Sequence, residues 1–288
     1  MIISEMIAKT KALYKGGSYL GVTFDEKTTR DKVLYGQEWL NRPCTGIITT
    51  CWASVDVIKE AIHQGANLII THEAIFWNHG DHREWLIDNQ TYQAKKELLD
   101  KHQIVIWRNH DYVHSGMRQT DGSYVDGILH GFVKEMGWEN AISDLTKYPI
   151  VFRFSEPKTL NQLTREMVEK LGIEGLRYVG KPDEPIKTLA IGLHALGNDN
   201  NLITLLNQEG IDALLLMEMV EFTVLEFVHD CLSVGRQKAI ISPGHFSLED
   251  PGMKHMVAYL KENLDFEGSI QHVPSGRMVS YQVVEDGK

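Results

Sequence analysis

Short apolar runs, some of them preceded by an amphipathic stretch and a glycine, alternate with helical patterns along most of this chain. That alternation builds parallel strands joined by helical crossovers, which restricts the fold to the α/β class. Gly46 to Trp52 (GIITTCW) reads as a strand, and Ser54 is placed to cap the helix after it. The helix carries Val55, Ile58 and Ile62 on one face and stops at Gly65, a residue suited to a left-handed helix end. Ala66 to Thr71 (ANLIIT) has the length and continuity of a strand buried on both faces. A helix over Thr91 to His102 then leads into a strand over Ile104 to Trp107.

The second half repeats the alternation. Thr159 and Gln162 form a capping box ahead of Leu163, Met167 and Leu171 at helical spacing, with Gly172 at the end. Strands follow at Thr188 to Gly192, Ile211 to Met217 and Ala239 to Ser242, separated by helices over Asn201 to Gln208 and Phe222 to Leu232. Asp250 is placed to cap a last helix with Pro251 at its first position, and Met278 to Val284 alternates like an edge strand.

Two passages are alike. HQGANLIITHE and NQEGIDALLLME both run helix end, glycine, apolar strand, acid; Gly65 and Gly210 are 145 positions apart, as are Glu73 and Glu218. The sequence therefore predicts two related α/β halves with mainly parallel sheets and a metal site in the cleft between them. The expected domains are 1–125 with 250–288, and 126–249.

The 288 residues suffice for one or two domains, and a hydrophobic share of 43% is ordinary for a globular chain. The formal charge of −10 argues against nucleic acid as a partner, since phosphate contacts need a basic surface. No apolar run reaches membrane-spanning length, and Glu5 stands where an export signal would carry basic residues. Cys44, Cys51 and Cys231 are too few and too scattered for a disulfide framework, so the expected home is the reducing cytosol.

In a parallel sheet, ligands bind beyond the carboxyl ends of the strands. Three such ends carry metal-ligand residue types: His72-Glu73, then His110-Asp111 with His114 a turn later, then His245 with Glu249 four residues on. A single histidine at a strand end is usually a surface or core residue, and a single carboxylate is usually a cap. Crowding them at one edge is costly unless a cation neutralises the group. Imidazole and carboxylate without thiolate suit zinc, iron, manganese or nickel, and up to six donors from these seven residues exceed what one tetrahedral ion takes. Two divalent ions sharing a bridging carboxylate use them better, with Glu249 as the bridge. His79 and His82 lie in a polar loop and read as exposed; His63, His102, His130, His229, His255 and His272 read as structural. The sequence lacks the phosphate-binding loop, the dinucleotide fingerprint, the nucleophile elbow and H-E-x-x-H.

The passage GANLIITHEAIFW resembles the strand and Thr-His-His-Pro-like turn of the NGG-interacting-factor-three-like family, dinuclear-metal proteins often labelled GTP cyclohydrolase I type two homologues. PGHFSLEDPGM resembles that family's Gly-His-x-x-x-Glu element. The resemblance spans nearly the whole chain. It implies His72 as a ligand, with His245 and Glu249 in the second and bridging positions. Glu73 stands where many members have a second histidine, and His114 holds the place of an aspartate, with Asp111 close by. Among His110, Asp111 and His114 the expectation falls on Asp111 and His114. The resemblance also implies a ring-shaped homohexamer of two-domain α/β subunits.

The functional expectation is a metal-dependent hydrolase for a nucleotide-like, phosphoester or cyclic amide substrate, with Glu249 as the catalytic carboxylate and Arg108, Arg118 or Arg277 available to substrate anions. A non-catalytic metal store, chaperone or regulatory ring is the alternative, and an interaction scaffold without metal is the third account.

Overall fold

The computed structural model describes residues 1–142, 144–145 and 148–282. The chain divides into two compact units, Met1–Gly131 with Glu249–Gly276, and Phe132–Leu248 with Arg277 onward. Each contains a five-stranded mixed sheet flanked by helices.

In the first unit the sheet order is Ser269–His272, Gly46–Thr50, Leu68–Thr71, Val105–Arg108 and Val33–Tyr35. The first four strands are parallel, and Val33–Tyr35 closes the edge in the antiparallel sense. Successive side chains of a strand point to opposite faces, and here both faces are apolar. Ile47, Ile70 and Val105 pack with Met6, Met253 and Leu260 on one side. Ile48, Ile69 and Ile106 pack with Ile58, Leu99 and Phe76 on the other. Continuous rather than alternating hydrophobic runs are therefore what this sheet requires.

The second unit orders its strands as Arg177–Val179, Ala239–Ser242, Ala213–Leu216, Pro185–Leu193 and Val151–Thr159. The three central strands are parallel and both edges antiparallel. In both units three parallel strands lie side by side in chain order, so the repeated helix–glycine–strand pattern corresponds to a repeated architecture.

Most local expectations fall within a residue or two of the observed elements. Ser54 accepts a hydrogen bond from Val57 N to cap the Val55–His63 helix, and Thr159 with Gln162 forms the reciprocal box ahead of Leu160–Leu171. Three expectations differ. The last helix runs His245–Asn263 and holds Pro251 inside it, because its first turn is already closed by Leu248 N donating to Gly244 O at 3.1 Å. The helix expected from Phe222 starts at Glu226, after an irregular turn in which Thr223 leaves helical backbone. Met278 to Gln282 lies outside any strand, and the rest of that expected strand falls outside the described residues. The first unit's far edge is instead Ser269–His272, paired with Gly46–Thr49. Among the described residues no helix is long and apolar enough to cross a membrane.

Candidate metal centre

Backbone ties carry the strand ends of the first unit directly into the site. His72 N donates to Thr50 O and Cys51 O, both at 3.1 Å, and Glu73 N donates to Cys51 O at 2.8 Å. His72 is wholly buried as a result. On the next strand, Asn109 N donates to Thr71 O at 2.8 Å. The chain then enters the short helix Asp111–Ser115, whose start is gripped by Asp31. Asp31 Oδ1 accepts from His110 N and Asp111 N at 2.7 Å, and Oδ2 accepts from Tyr112 N at 3.0 Å. Anchored in this way, His110 and His114 turn towards His72.

The three imidazoles form a close cluster. His72 and His110 stack at 4.5 Å between ring centres and 9° between planes, and His114 stands edge-on to both at 5.0 Å. One nitrogen from each of the three lies within 4.8 Å of the others, and His72, Glu73 and Glu249 meet the same condition.

The hydrogen bonds assign the ring atoms. His72 Nδ1 is 3.1 Å from Asn109 O, a carbonyl that can only accept, so Nδ1 carries the proton and Nε2 the lone pair. Nε2 is buried with no hydrogen-bond partner among the described residues, and Glu249 Oε1 stands 3.6 Å from it. His110 repeats the arrangement, with Nδ1 3.2 Å from Asp111 Oδ1 and Nε2 3.6 Å from Glu73 Oε1. His114 Nδ1 is held by Asp126 Oδ2 at 2.8 Å. A carbonyl or carboxylate behind each imidazole is the usual outer shell of a metal-binding histidine. Two donors held by one ion at about 2.0–2.2 Å stand about 3.0–3.6 Å apart, so the imidazole–carboxylate gaps have a width that a divalent cation fits.

Electrostatics agree with this. Burial opposes charge on His72, but the carboxylates of Glu249 and Glu73 outweigh it and raise its pKa. Burial, then the neighbouring His72 and His114, push His110 well down. Burial alone would raise Glu73; hydrogen bonding from His79 and the charges of His72 and Arg108 bring it down to about 2. Glu249 has its second oxygen, Oε2, 3.7 Å from the Cys51 thiol, which donates to it. Three imidazoles and two carboxylates, all buried or nearly so, fit a borderline divalent ion.

A family model described as Duf34/NIF3 (NGG1p interacting factor 3) matches residues 37–276. The chain belongs to the Duf34/NIF3 family. A GTP cyclohydrolase 1 type 2 homolog of Clostridium acetobutylicum is 27% identical over 216 residues, covering 72% of this chain and 73% of that protein. The protein of the same name from Clostridium perfringens is 26% identical over 225 residues, covering 77% and 79%. The crystal structure of a Bacillus cereus protein related to NIF3 matches with a TM-score of 0.69 at 15% identity, covering 99% of both chains. That likeness shows the shared fold.

Of the residues singled out in this NIF3-family sequence, His72, Glu73, His114 and Glu249 come together in the first unit. Asp111 adjoins them but faces elsewhere. Its Oδ1 accepts from Arg30 Nε at 2.7 Å, and its Oδ2 accepts from Arg30 N at 2.7 Å and Thr29 Oγ1 at 3.1 Å. His245 is described with the second unit, beside His194 and Glu218. His110 occupies the position beside Glu73. Arg108, read as a possible anchor for substrate anions, is buried and committed to His72 O, His79 O and Glu73 Oε2. Asp31, Cys51 and Asp126 escaped the sequence reading because each acts on a ligand from a distant segment. His194 directly follows a strand, which by itself does not mark a histidine as a ligand.

Proposed function

We propose that the chain is a divalent-metal-dependent hydrolase whose first-unit cluster holds a pair of ions. The observation that carries this reading is the paired geometry of His72 with Glu249 and His110 with Glu73. In each pair an Nε2 lone pair faces a carboxylate oxygen at 3.6 Å across a buried gap. His72, His110, His114, Glu73 and Glu249 are the side chains that would hold the ions, with the Glu249 carboxylate shared. When bound, divalent ions lower the pKa of water towards 7 and polarise an electrophile.

The chain's own residues supply orientation and charge balance. Asn109 O and Asp126 fix the tautomers of His72 and His114. Arg108 offsets Glu73 and holds the His72 backbone in place. Cys51 keeps Glu249 Oε2 engaged, leaving Oε1 towards His72. The name of the two clostridial relatives supports a ring-opening hydrolysis, and the site chemistry is equally suited to a nucleotide-like, phosphoester or cyclic amide substrate. The depth of the cluster, with His72 wholly buried, favours as second reading a metal carrier without turnover. A hexameric ring in a reducing cytosol completes the proposal, in keeping with three free, buried cysteines.

Metal-loaded protein assayed against nucleotides, phosphoesters and cyclic amides tests the reading. Turnover that is lost in both His72→Ala and Glu249→Gln supports hydrolysis. Stoichiometric metal with no turnover on the full panel leaves the carrier, and turnover unchanged in the variants removes the assigned site.

A further inference from the structure

A small hairpin of the first unit stands on the histidine cluster. Its strands Ser18–Tyr19 and Val22–Thr23 pair antiparallel, Ser18 opposite Thr23 and Tyr19 opposite Val22. The Tyr19 ring lies flat on that of His114, with 4.3 Å between centres and 14° between planes, and meets His110 edge-on at 6.5 Å. From Gly17 to Thr23 every residue is exposed except Tyr19, which is half-buried. The hairpin thus rests on the body through one ring, and that ring covers a side chain assigned as a ligand.

The chain on either side is firmly tied. Lys15 N donates to Gly116 O and Gly16 N to Ser115 Oγ, both at 2.8 Å. On the return, the Phe24 ring stands edge-on to Tyr112 at 5.3 Å, and Glu26 accepts from the Tyr112 hydroxyl at 2.8 Å and from Lys11 Nζ at 2.6 Å. Between these anchors the backbone is built to turn. Gly16 and Gly17 take φ of +69° and +84°, a region open to glycine. Leu20 and Gly21, at +47° and +80°, make the two-residue turn at the tip. Leucine is strained there, and its half-exposed side chain gains little burial. A two-stranded hairpin is marginal alone, so the Tyr19 contact decides whether this one lies down.

We propose that the Ser18–Thr23 hairpin is a lid on the first-unit cluster, closed by Tyr19 on His114 and hinged at Gly16 and Gly17. The inference rests on the metal-dependent reading of that cluster and deepens it by naming what regulates access. With the lid down, His110 and His114 are each 6% exposed, and an ion or substrate reaches them when the covering ring lifts. The ties at Lys15 and Gly16 stay in place as it does. Closed, the same ring fixes His114 from its face while Asp126 Oδ2 holds its Nδ1 at 2.8 Å.

Two rates measured on the full chain test the lid. One is the loss of zinc from loaded protein to excess chelator. The other is carbethoxylation of His114 in metal-free protein, read by peptide mass spectrometry. Tyr19→Ala is expected to raise both about tenfold, the scale of one lost aromatic contact, while Tyr19→Phe keeps the stacking ring and stays within about twofold of wild type. A Gly17 Cβ would meet nothing within 4 Å, so Gly17→Ala is strained in the closed geometry without a clash and should also raise both rates. The Cys44 thiol, buried in the same unit, should label at the wild-type rate in every variant. Modification of His114 needs no metal, so a chain that binds none sinks the hydrolase and carrier readings and leaves the lid measurable. Wild-type rates in Tyr19→Ala overturn the proposal. So does a Tyr19→Phe chain as fast as Tyr19→Ala, which places the hold in the hydroxyl. A parallel rise in Cys44 labelling in both Tyr19→Ala and Gly17→Ala also overturns it, since that reports general loosening.

Discussion

His72 Nε2 and Glu249 Oε1 face each other at 3.6 Å, the imidazole wholly buried and the carboxylate nearly so, and the imidazole proton points the other way, to Asn109 O. A lone pair opposite a carboxylate repels, so this pair gains from any cation placed between. Metal binding should therefore stabilise the fold. At a free ion concentration a hundredfold above Kd the gain is about 2.7 kcal/mol. Thermal unfolding with and without chelator measures it. The shift should shrink in a His72→Ala, Glu249→Gln double variant, which removes this pair and leaves His110 and Glu73, and an equal shift there would refute the assignment.

Asp126 does two jobs with two oxygens. Oδ1 accepts from Ile128 N and Leu129 N, both at 3.0 Å, capping the Gly127–Met136 helix, while Oδ2 holds His114 Nδ1 at 2.8 Å. Asparagine keeps the cap but presents an amide N–H to the ring, which forces the His114 proton onto Nε2. Asp126→Asn is expected to fold normally and bind metal 10–100-fold more weakly. Normal affinity in that variant would mean that His114 is not a ligand.

The legible part of this protein is what local order encodes. Ile69 and Ile70 announce a two-faced buried strand, and that strand's end then predicts His72 and Glu73 as site residues. What stays hidden depends on contacts between distant segments. The sequence favours Asp111 over His110 as a ligand, yet Arg30, far away in the chain, engages the Asp111 carboxylate. Asp250 and Pro251 make a good local helix start, yet Gly244 closes a turn before them. His194 went unnoticed because a single histidine after a strand carries no signal until its neighbours across the sheet are known.

Glu249 owes its position to a close helix crossing. A Cβ on Gly252 would lie 2.5 Å from Ile128 Cα, and one on Gly131 would lie 2.5 Å from Gly252 Cα. Backbones this close leave no room for a methyl group. Gly252→Ala should destabilise the protein by about 1–3 kcal/mol through overpacking. It should also weaken metal binding, because the same helix carries Glu249 one turn earlier. Denaturant midpoints and metal titration test the two effects together; wild-type values in both would show that the helices can separate freely.

Lys95 gives the clearest pH dependence away from the metal centre. It is 1% exposed, with Nζ donating to Ile75 O at 2.7 Å and lying 4.9 Å from the Trp52 ring centre and 5.4 Å from that of Phe76. Burial lowers its pKa from 10.5 to about 7, with Asp81 opposing the shift. Below pH 7 both folded and unfolded chains hold the proton, and the folded chain bears the full penalty of a buried ammonium. Between pH 7 and 10.5 the unfolded chain binds more protons than the folded one, so stability rises with pH. The lowered pKa sets an upper bound of about 5 kcal/mol on that rise. Lys95→Met removes the titrating group, so its advantage over wild type should be largest near pH 6 and shrink steadily towards pH 10. Urea unfolding of both proteins at the two pH values decides it; an advantage independent of pH would mean that Lys95 stays protonated throughout.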